Sequence, residues 1–435
     1  MMKTSIIRLA VIGVLTGLAI AAAGQNQTRD TRSQAIRLGL KLFKDARFSS
    51  SRGDLQNSCS SCHLQDEDPQ GTRAHTDFFA RSWVPWRAED PRREELRNSP
   101  TLLDSALMPR LHFDGEFSSL EDLVKGTLAG RPMGWLPGER EQAFDRVCQI
   151  ILNDAGEEAS YRREFEAAYN VQLAGLSKKE LIDRVAQAIS DYLRTLNSSR
   201  TAPYDLFVKL NGLDETAHQE NPRVFADRLV RKISMLEATG KLKLSAQFDT
   251  AALEGMKIFF GAGNCGVCHT PPMFTDNSFH NMGISQDEYD QVNGEGSFTK
   301  LEIPSSAKAR RPSTQFRETP SAQKPGCADL GYWNFVDLKT SSLRRSGESD
   351  DSFLQRMIAT FKTPTLRNLS FTQPYMHTGG FSTLESALAE LKRLSALART
   401  RQVREGDEEL TRIQISDADI APLVAFLKTL NEDLN

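Results

Sequence analysis

Two short motifs of cysteine and histidine are the residues in this sequence whose spacing most directly implies chemistry. Each has two cysteines separated by two residues, and a histidine directly follows the second cysteine. Thiols at this spacing can add across the vinyl groups on one edge of a porphyrin, and the next histidine then lies under the iron and ligates it. The motifs therefore predict two covalently bound haem c groups. The attachment cysteines and iron-ligating histidines are Cys59, Cys62, His63, Cys265, Cys268 and His269.

Two other kinds of site also use a Cys-x-x-Cys pair. A structural zinc site usually draws its second pair of ligands from far downstream, whereas here each histidine directly follows a cysteine. A redox-active dithiol usually belongs to a βαβ pattern, which neither motif follows. Haem attachment is therefore the favoured interpretation of both motifs.

The first residues of the chain predict export. Lys3 and Arg8 precede an apolar run over residues 9–23 that ends in three alanines, a pattern typical of a cleaved signal peptide. The run is shorter than the ~20 residues that span a bilayer, so we expect a soluble periplasmic protein without a membrane span. In that oxidising compartment Cys148 and Cys327 either form a disulfide or stay as two buried thiols.

The overall composition excludes several classes of protein. Of 435 residues, 39% are hydrophobic and 26% are charged, which is typical of a globular chain with a sizeable core. The 54 Lys and Arg residues nearly balance 57 Asp and Glu residues, giving a net charge of -3. Nucleic-acid-binding domains are usually strongly basic, so we expect no nucleic-acid partner.

Helical patterns lead into both motifs. Apolar residues at helical spacing over 34–48 and 249–260 predict an amphipathic helix directly before each motif. Ser177 and Glu180 have the spacing of a capping box at the start of another helix. Further helices are predicted over 118–130, 139–153, 176–197 and 416–430. Strand signals are sparse, so the predicted fold class is mainly α.

The repeated order of helix, loop and motif indicates two equivalent haem modules. We predict a signal peptide at 1–23, an N-terminal cytochrome c-like haem domain at 34–240 and a C-terminal one at 245–435. Residues 291–350 are rich in Gly, Pro, Ser, Lys and Arg, and we predict that they form an irregular insertion in the second domain.

Five stretches of the sequence resemble, in order, the bacterial di-haem cytochrome c peroxidases and their relative MauG. The stretches are LGLKLFKDARFS at 38–49, RNSPTLLD at 97–104, FDGEFSSLEDL at 113–123, CGVCHTPPMFTDNSFHNMGI at 265–284 and TPTLRNLSFTQPYMHTGGFSTLE at 363–385. The resemblance implies two cytochrome c-like haem domains packed against each other, with a calcium ion between them. It also implies that the N-terminal haem reacts with peroxide and that the C-terminal haem exchanges electrons.

The resemblance also assigns supporting residues. It implies calcium contacts from Asn98, Thr372 and Pro374, through an amide and backbone carbonyls, which are hard oxygen donors suited to calcium. A structural turn with bound water is the alternative for these three residues. His280 and His377 lie within the last two stretches, and we expect them to support the second haem pocket.

The sequence departs from the family over the peroxide-reactive haem. The relatives place a Gln and a Glu there, downstream of the Trp of a W-D-G-R motif. In this chain Phe113 takes the Trp position, Leu123 the Gln position and Met133 the Glu position, or Pro132 if the alignment has a gap. Leu and Met cannot carry the proton that cleavage of the peroxide bond requires.

A relocated acid–base group would therefore have to come from another residue. Glu116 and Glu121 are the favoured catalytic candidates, and His75 is a candidate for the open face of the first haem. Three further acids, Asp114, Asp122 and Glu139, lie nearby. For each acid the alternative is a solvated residue on a helix face or in a turn, and for His75 it is an exposed loop residue.

The second departure concerns the sixth iron ligand of the C-terminal haem. The relatives' ligand, Met or Tyr, follows the His of P-Y-x-H at a fixed distance, and that distance from His377 leads to Leu391. A leucine cannot ligate iron. Either Met282, Met357 or Met376 replaces it, or the iron has five ligands.

We therefore predict an oxidoreductase of the cytochrome-c peroxidase kind. It would activate or reduce hydrogen peroxide at the haem held by His63, using electrons that pass through the haem held by His269. The electron donor would be a small periplasmic cytochrome c or cupredoxin. The alternatives are MauG-like oxidation of a protein or organic substrate, a haem oxygenase acting on a hydrophobic substrate, and a non-enzymatic di-haem electron carrier or sensor. The sequence leaves the oligomeric state open, a homodimer included.

Overall fold

The computed structural model describes residues 31–50, 57–63, 97–154, 160–213 and 220–432. The predicted signal peptide and His75 lie outside these residues. All six motif residues lie within them.

Helices make up most of the regular secondary structure in the described residues, which confirms the predicted mainly α class. Their bounds are 31–43, Leu120–Leu128, Arg140–Asn153, Tyr161–Tyr169, Lys178–Leu193, Pro203–Leu210, Pro222–Ala238, Thr250–Phe260, Ile284–Asn293, Asp350–Arg356, Leu384–Arg399, Glu408–Thr411 and Asp417–Lys428. A two-stranded antiparallel sheet pairs Phe279–His280 with Phe361–Lys362, so that Phe279 lies opposite Lys362.

The predicted capping box at the start of helix Lys178–Leu193 is present. The Ser177 hydroxyl accepts a hydrogen bond from the Glu180 N–H at 3.4 Å, and the Glu180 carboxylate accepts one from the Ser177 N–H at 2.8 Å. These bonds satisfy two of the N–H groups that a helix start leaves without partners. The helix therefore begins two residues after the predicted start at 176.

One compact unit comprises residues up to Ser60 together with Leu120–Thr195. In its core the helix over 31–43 crosses helix Lys178–Leu193 at Gly39. A Cβ at Gly39 would lie 2.1 Å from the Ala188 carbonyl oxygen. Only glycine therefore permits this close approach of the two backbones.

The second compact unit comprises Ser61–Ser119 and Leu196–Asn435. Helix Thr250–Phe260 packs closely on helix Asp417–Lys428, and a Cβ at Gly255 would lie 1.9 Å from the Pro422 carbonyl oxygen. Aromatic side chains fill the core between these helices and the second motif. They include Phe225, Phe259, Phe260, Phe274 and Phe426, all at least 96% buried.

The predicted insertion is irregular in backbone but has an aromatic core. Between Asn293 and Asp350 the structure has short 3-10 turns and no α-helix or strand. Phe298, Phe316 and Trp333 are nevertheless almost fully buried there, together with Phe353 of the following helix. The segment is therefore packed into the second compact unit.

The two compact units do not coincide with the predicted domains 34–240 and 245–435. Those domain bounds stay predictions. Across the part of the chain that the structure describes, no helix is both long and apolar enough to cross a bilayer.

Candidate haem sites

The second cysteine–histidine motif is wound into one tight turn. Cys265–Val267 form a 3-10 turn, and the His269 N–H donates to the Cys265 carbonyl oxygen at 2.9 Å. This turn brings the side chains of Cys265, Cys268 and His269 into one short loop. Burial raises the pKa of Cys265 to about 12, so this thiol is neutral in the unmodified chain.

The imidazole of His269 is held in one tautomer. Its Nδ1 lies 2.9 Å from the Phe274 carbonyl oxygen, which can only accept, so Nδ1 carries the proton. Nε2 is then left with a lone pair for a metal. Burial lowers the pKa of His269, which keeps the ring neutral at pH 7. A neutral, oriented imidazole beside two thiols matches what a covalently bound haem needs.

The loop after His269 is fixed by the segment that follows strand Phe361–Lys362. The Thr275 hydroxyl donates to the Thr363 carbonyl oxygen at 2.6 Å, and the Thr365 hydroxyl donates to the Met273 carbonyl oxygen at 2.7 Å. The loop and the segment therefore run side by side into the short sheet.

His280 is clamped between two carboxylates. Its Nε2 lies 2.8 Å from Asp276 and its Nδ1 lies 2.6 Å from Asp407. Burial alone would lower the pKa of His280, but these two bonds and a contact with the Cys268 thiol outweigh it and raise the pKa. The residue thus lies beside Cys268, the second attachment cysteine, and its support of a haem pocket stays a prediction.

Two of the three candidate methionine ligands pack near the helix that carries Leu391. Met282 and Met376 are partly buried against the cluster that includes Leu394 of helix Leu384–Arg399. Met357 lies instead in the aromatic cluster of the insertion and is 2% exposed. The sixth ligand stays a prediction.

His377 lies within a stack of rings. Its imidazole stacks on Phe361 with centroids 3.6 Å apart, and the Phe113 ring is 6.5 Å away. Its Nε2 lies 3.2 Å from the Ser285 hydroxyl. Phe113, which takes the family's Trp position, therefore lies near the buried His377.

A buried ionic network lies behind this stack, and sequence analysis did not identify it. The Arg97 guanidinium donates to Asp114 at 2.6 Å and to Asp329 at 2.7 Å, and both carboxylates are almost fully buried. Burial alone would lower the pKa of Arg97, but the two carboxylates outweigh it and raise the pKa. The sequence indicates this network only through Arg97 in the RNSP stretch. Its partner Asp329 lies in the insertion, where no pattern marks it.

Two of the predicted calcium contacts lie together. The Asn98 side-chain nitrogen is 2.5 Å from the Pro374 carbonyl oxygen and 3.4 Å from that of Met376. The Asn98 amide N–H groups therefore donate to both carbonyl oxygens. Thr372 follows the 3-10 turn Leu369–Phe371, two residues before Pro374. The group offers neutral oxygen donors.

The first motif forms the same local turn as the second. Cys59–Ser61 are a 3-10 turn, and the Ser58 and Ser60 hydroxyls are 2.7 Å apart. The Asn57 amide donates to the Pro132 carbonyl oxygen at 3.1 Å, and Met133 beside it is 2% exposed. The buried residue at the family's Glu position is therefore apolar.

The acidic candidates for a relocated base are all held in polar contacts. Glu116 lies 2.8 Å from Arg317 and Glu121 lies 2.6 Å from Arg194. The other three are similarly engaged: Asp114 by Arg97, Asp122 by Lys125 and Glu139 by the Leu136 N–H. Their catalytic roles stay predictions.

Comparisons with known proteins match this chain to one family. A family model described as "Di-haem cytochrome c peroxidase" matches residues 33–212. The cytochrome-c peroxidase IdrP2 of Denitromonas iodatirespirans is 26% identical over 447 residues, which cover 99% of this chain and 94% of the relative. The methylamine utilization protein MauG of Paracoccus denitrificans is 26% identical over 463 residues, which cover 98% and 96%.

Solved structures agree with the fold. The crystal structure of the diheme peroxidase BthA from Burkholderia thailandensis superposes with a TM-score of 0.54 at 19% identity, covering 92% of this chain and 86% of that one. A MauG-like protein associated with microbial copper homeostasis gives a TM-score of 0.52 at 22% identity, covering 92% and 90%. Along almost its whole length this chain is therefore similar to the di-haem cytochrome c peroxidases and MauG proteins, and it shares the fold of the solved di-haem structures.

Proposed function

We propose that this protein is an exported di-haem c-type peroxidase that reduces hydrogen peroxide at the haem held by His63. Electrons would pass through the haem held by His269 from a small cytochrome c or cupredoxin in the periplasm. Similarity to the di-haem cytochrome c peroxidases and MauG proteins supports peroxidase or MauG-like redox activity. The observation that carries the proposal of haem attachment is the His269 site, where two thiols and a neutral, oriented imidazole meet in one turn. The division of roles between the two haems follows the resemblance to the family.

The chain's own residues would hold two haems covalently. Cys59 and Cys62 would form thioethers with one haem and Cys265 and Cys268 with the other, while the following histidines ligate iron. Haem iron supplies the one-electron redox chemistry and the site at which peroxide binds. The hydrogen bond from His269 Nδ1 to the Phe274 carbonyl oxygen would orient that imidazole and increase its basicity as a ligand.

Peroxide reduction to water also requires protons, and the family's distal Gln and Glu are absent. Among the acidic candidates, Glu116 has an imidazole beside it, because His112 Nδ1 lies 3.6 Å from its carboxylate. Burial would raise the pKa of Glu116, but its contacts with His112 and Arg317 outweigh it and lower the pKa below 4.5. Glu116 is therefore ionised at neutral pH and able to accept a proton.

We also propose that a calcium ion binds at Asn98. The carbonyl oxygens of Pro374 and Met376 lie around the Asn98 amide, and carbonyl and amide oxygens are the donor types that calcium takes. Thr372 would add a further oxygen from the preceding turn. An Asn98→Ala variant is expected to lose the calcium-dependent part of the thermal stability, and unchanged melting with and without a chelator in the native protein would remove this assignment.

The second candidate function is oxidation of a protein or organic substrate. It is favoured by the MauG relative, which matches the chain as fully as the peroxidase relative does. A peroxidase transfers electrons from its small protein donor continuously, whereas this alternative predicts peroxide consumption without turnover of such a donor.

The test combines haem counting with turnover. Haem content per chain is measured in the native protein and in two double variants, Cys59→Ser with Cys62→Ser and Cys265→Ser with Cys268→Ser. We expect two haems in the native protein, one in each variant, and peroxide-dependent oxidation of reduced cytochrome c or cupredoxin only in the native protein. A native protein that carries both haems but leaves peroxide unreacted would be an electron carrier or sensor.

A further inference from the structure

Exposed apolar side chains gather in one region of the second compact unit. Five of the seven large apolar side chains that are exposed in the described residues lie between 206 and 244. Leu206 and Leu210 are four residues apart in helix Pro203–Leu210, so they share a face, and they are 50% and 47% exposed. Leu244 is 40% exposed. Single exposed apolar residues are normal, whereas a group of them on one surface is typical of an interaction site.

Two hydrogen bonds bring Leu244 to the end of this helix. The Asn211 side chain, next to Leu210, donates to the Lys243 carbonyl oxygen at 2.9 Å and accepts from the Lys243 N–H at 2.8 Å. On the buried side of the helix, Phe207 stacks on Phe248 with ring centroids 3.9 Å apart. Leu206, Leu210 and Leu244 therefore lie on one stretch of surface, which we call the leucine surface.

Lysines flank the leucine surface. Lys209, Lys241 and Lys243 are all exposed, and none of them forms an ion pair with a carboxylate among the described residues. The carboxylates nearest to them along the described chain are engaged elsewhere: Asp205 with Arg367, Glu237 with Lys257, and Asp249 as the cap of helix Thr250–Phe260. The described part of this surface is therefore positively charged around its apolar centre.

The inner face of the same helix contacts the loop that holds the candidate iron ligand. Tyr204 is fully buried and packs edge-on against Phe274, with ring centroids 5.0 Å apart. The Phe274 carbonyl oxygen in turn accepts the hydrogen bond from His269 Nδ1. An α-helix with its side chains is about 10–12 Å across. The leucine surface therefore lies about one helix width from the rings that contact the His269 loop.

We propose that the leucine surface is the docking site of the electron donor, and that this donor is a small redox protein with acidic residues around an exposed apolar patch. This inference rests on the proposed function, because it requires a haem on the second motif that accepts electrons. Each encounter would oxidise the donor by one electron and reduce the haem held by His269 by one. Two such electrons and two protons convert one hydrogen peroxide into two waters.

The chemistry of the leucine surface favours a transient partner of this kind. Opposite charges steer two proteins together and set the correct partner, while a small apolar centre supplies contact without permanent association. Redox encounters bury less surface than permanent complexes, whose interfaces are larger and more apolar. None of the five stretches that resemble the di-haem peroxidases covers residues 203–248, so this surface belongs to the individual chain.

The test is steady-state turnover of the haem-loaded protein with peroxide and three reduced donors. The donors are a small acidic cupredoxin, a basic cytochrome c and a reduced phenylenediamine, which is too small to need a docking surface. Leu210→Ser removes apolar contact, and Lys209→Glu with Lys243→Glu reverses the charge. The matched controls are Val292→Ser, at a residue 41% exposed, and Lys300→Glu with Lys308→Glu, at two exposed lysines of the same unit.

We expect Leu210→Ser to raise the KM for the acidic cupredoxin by about fivefold, and the charge reversal to raise it by about tenfold. The charge reversal should also lower the KM for the basic cytochrome c. Both control variants should keep the native KM for each donor. Turnover with the phenylenediamine should be native in every variant, because it does not depend on docking.

The outcomes separate this inference from the proposed function. Native turnover with the phenylenediamine but not with the acidic cupredoxin, or an unchanged cupredoxin KM in the charge reversal, would overturn the docking site alone. If Leu210→Ser also slows the phenylenediamine, its effect is structural and the charge reversal decides. A native dimer that Leu210→Ser separates into monomers would show that a second copy covers the surface, and would equally overturn the inference. A native protein that carries both haems but turns over with no reductant would instead count against the proposed function.

Discussion

The glycine of the second haem motif gives a prediction whose size follows from the structure. Gly266 lies between the two attachment cysteines, and a Cβ built on it would be 2.4 Å from Cδ1 of Phe260 and 2.8 Å from Cε1. Non-bonded carbon atoms normally approach to about 3.5–4.0 Å. In a Gly266→Ala variant the Phe260 ring would therefore have to move by roughly 1 Å or more.

That ring has little freedom to move. Phe260 is 4% exposed, and it packs edge-on against Phe225, Phe259 and Phe426 at centroid distances of 6.0, 5.0 and 6.3 Å. Overpacking a tight core typically destabilises by about 1–3 kcal/mol. We expect Gly266→Ala to lower the free energy of unfolding by that amount and to reduce haem occupancy at the second motif.

The measurement is denaturant unfolding together with haem content per chain. Ser60 occupies the equivalent position in the first motif, so Ser60→Ala is the matched control and should change neither quantity by much. A double-mutant cycle with Phe260→Leu tests the cause, because a smaller side chain should relieve the clash and give a favourable coupling energy. A Gly266→Ala variant less than about 0.5 kcal/mol from native, or one equally destabilised in the Phe260→Leu background, would refute the steric argument.

Three further predictions concern other parts of the molecule. Arg97→Met leaves the buried Asp329 without its cation and Asp114 with only Arg317, 3.7 Å away, and it should lower the free energy of unfolding by about 3–5 kcal/mol. Arg194→Met removes two partly exposed pairs, with Glu121 and Asp191, and should lower it by less than about 1 kcal/mol. Equal effects would contradict the burial argument. Because the folded pKa of Glu116 is below 4.5, its pairing with Arg317 stabilises the fold above about pH 4.5, and this stability is lost as the pH falls further. Glu116→Gln should therefore flatten the acid side of the stability curve measured from pH 3 to 6, and an unchanged slope would exclude this residue as a cause. Gly39→Ala should destabilise by more than about 1 kcal/mol in thermal melts, since the new Cβ meets backbone 2.1 Å away; native-like melting would show that the two helices can separate.

Local signals in the sequence predicted the elements that position the second motif. The helix predicted at 249–260 begins at Thr250, because Asp249 accepts a hydrogen bond from the Ala252 N–H. The helix predicted at 416–430 spans Asp417–Lys428 behind a Ser416 cap. A cap and its partner lie within one helical turn of each other, so both can be recognised directly in the sequence without knowledge of the fold.

Other local signals were present but were not used. Helix Pro222–Ala238 was not predicted, although Asn221 caps it and Pro222 occupies its first position, which is a recognised start signal. The helix predicted at 34–48 ends at 43 instead, because Asp45 caps a separate 3-10 turn over Ala46–Phe48. The apolar spacing alone predicts one continuous helix, whereas the capping residue Asp45 within it begins a separate turn.

The contacts around Arg97 and Lys362 could not be predicted from sequence, because they join residues far apart in the chain. Asp329 is 232 residues from Arg97, in a segment whose composition indicates irregular structure. The sheet that places Lys362 has two residues in each strand, too few for an alternating pattern to be detected. Only the folded chain shows which of the described charges are paired across such distances.

The pair formed by Glu116 and Arg317 joins the insertion to the loop that contains Phe113 and Asp114. Glu116 occupies the position of the arginine in the family's W-D-G-R motif, so this chain has a negatively charged side chain where its relatives have a positively charged one. The insertion provides Arg317, 2.8 Å from Glu116 and 3.7 Å from Asp114, and thereby returns a guanidinium to the same loop. Without that arginine, the partly buried carboxylate at position 116 would lie near the fully buried carboxylate of Asp114 and keep only His112, 3.6 Å away, among its described ion-pair partners. That arrangement is unfavourable because like charges repel. The acid at position 116 and the cation in the insertion are therefore interdependent, and replacing either one alone should destabilise the loop more than exchanging the two charges together.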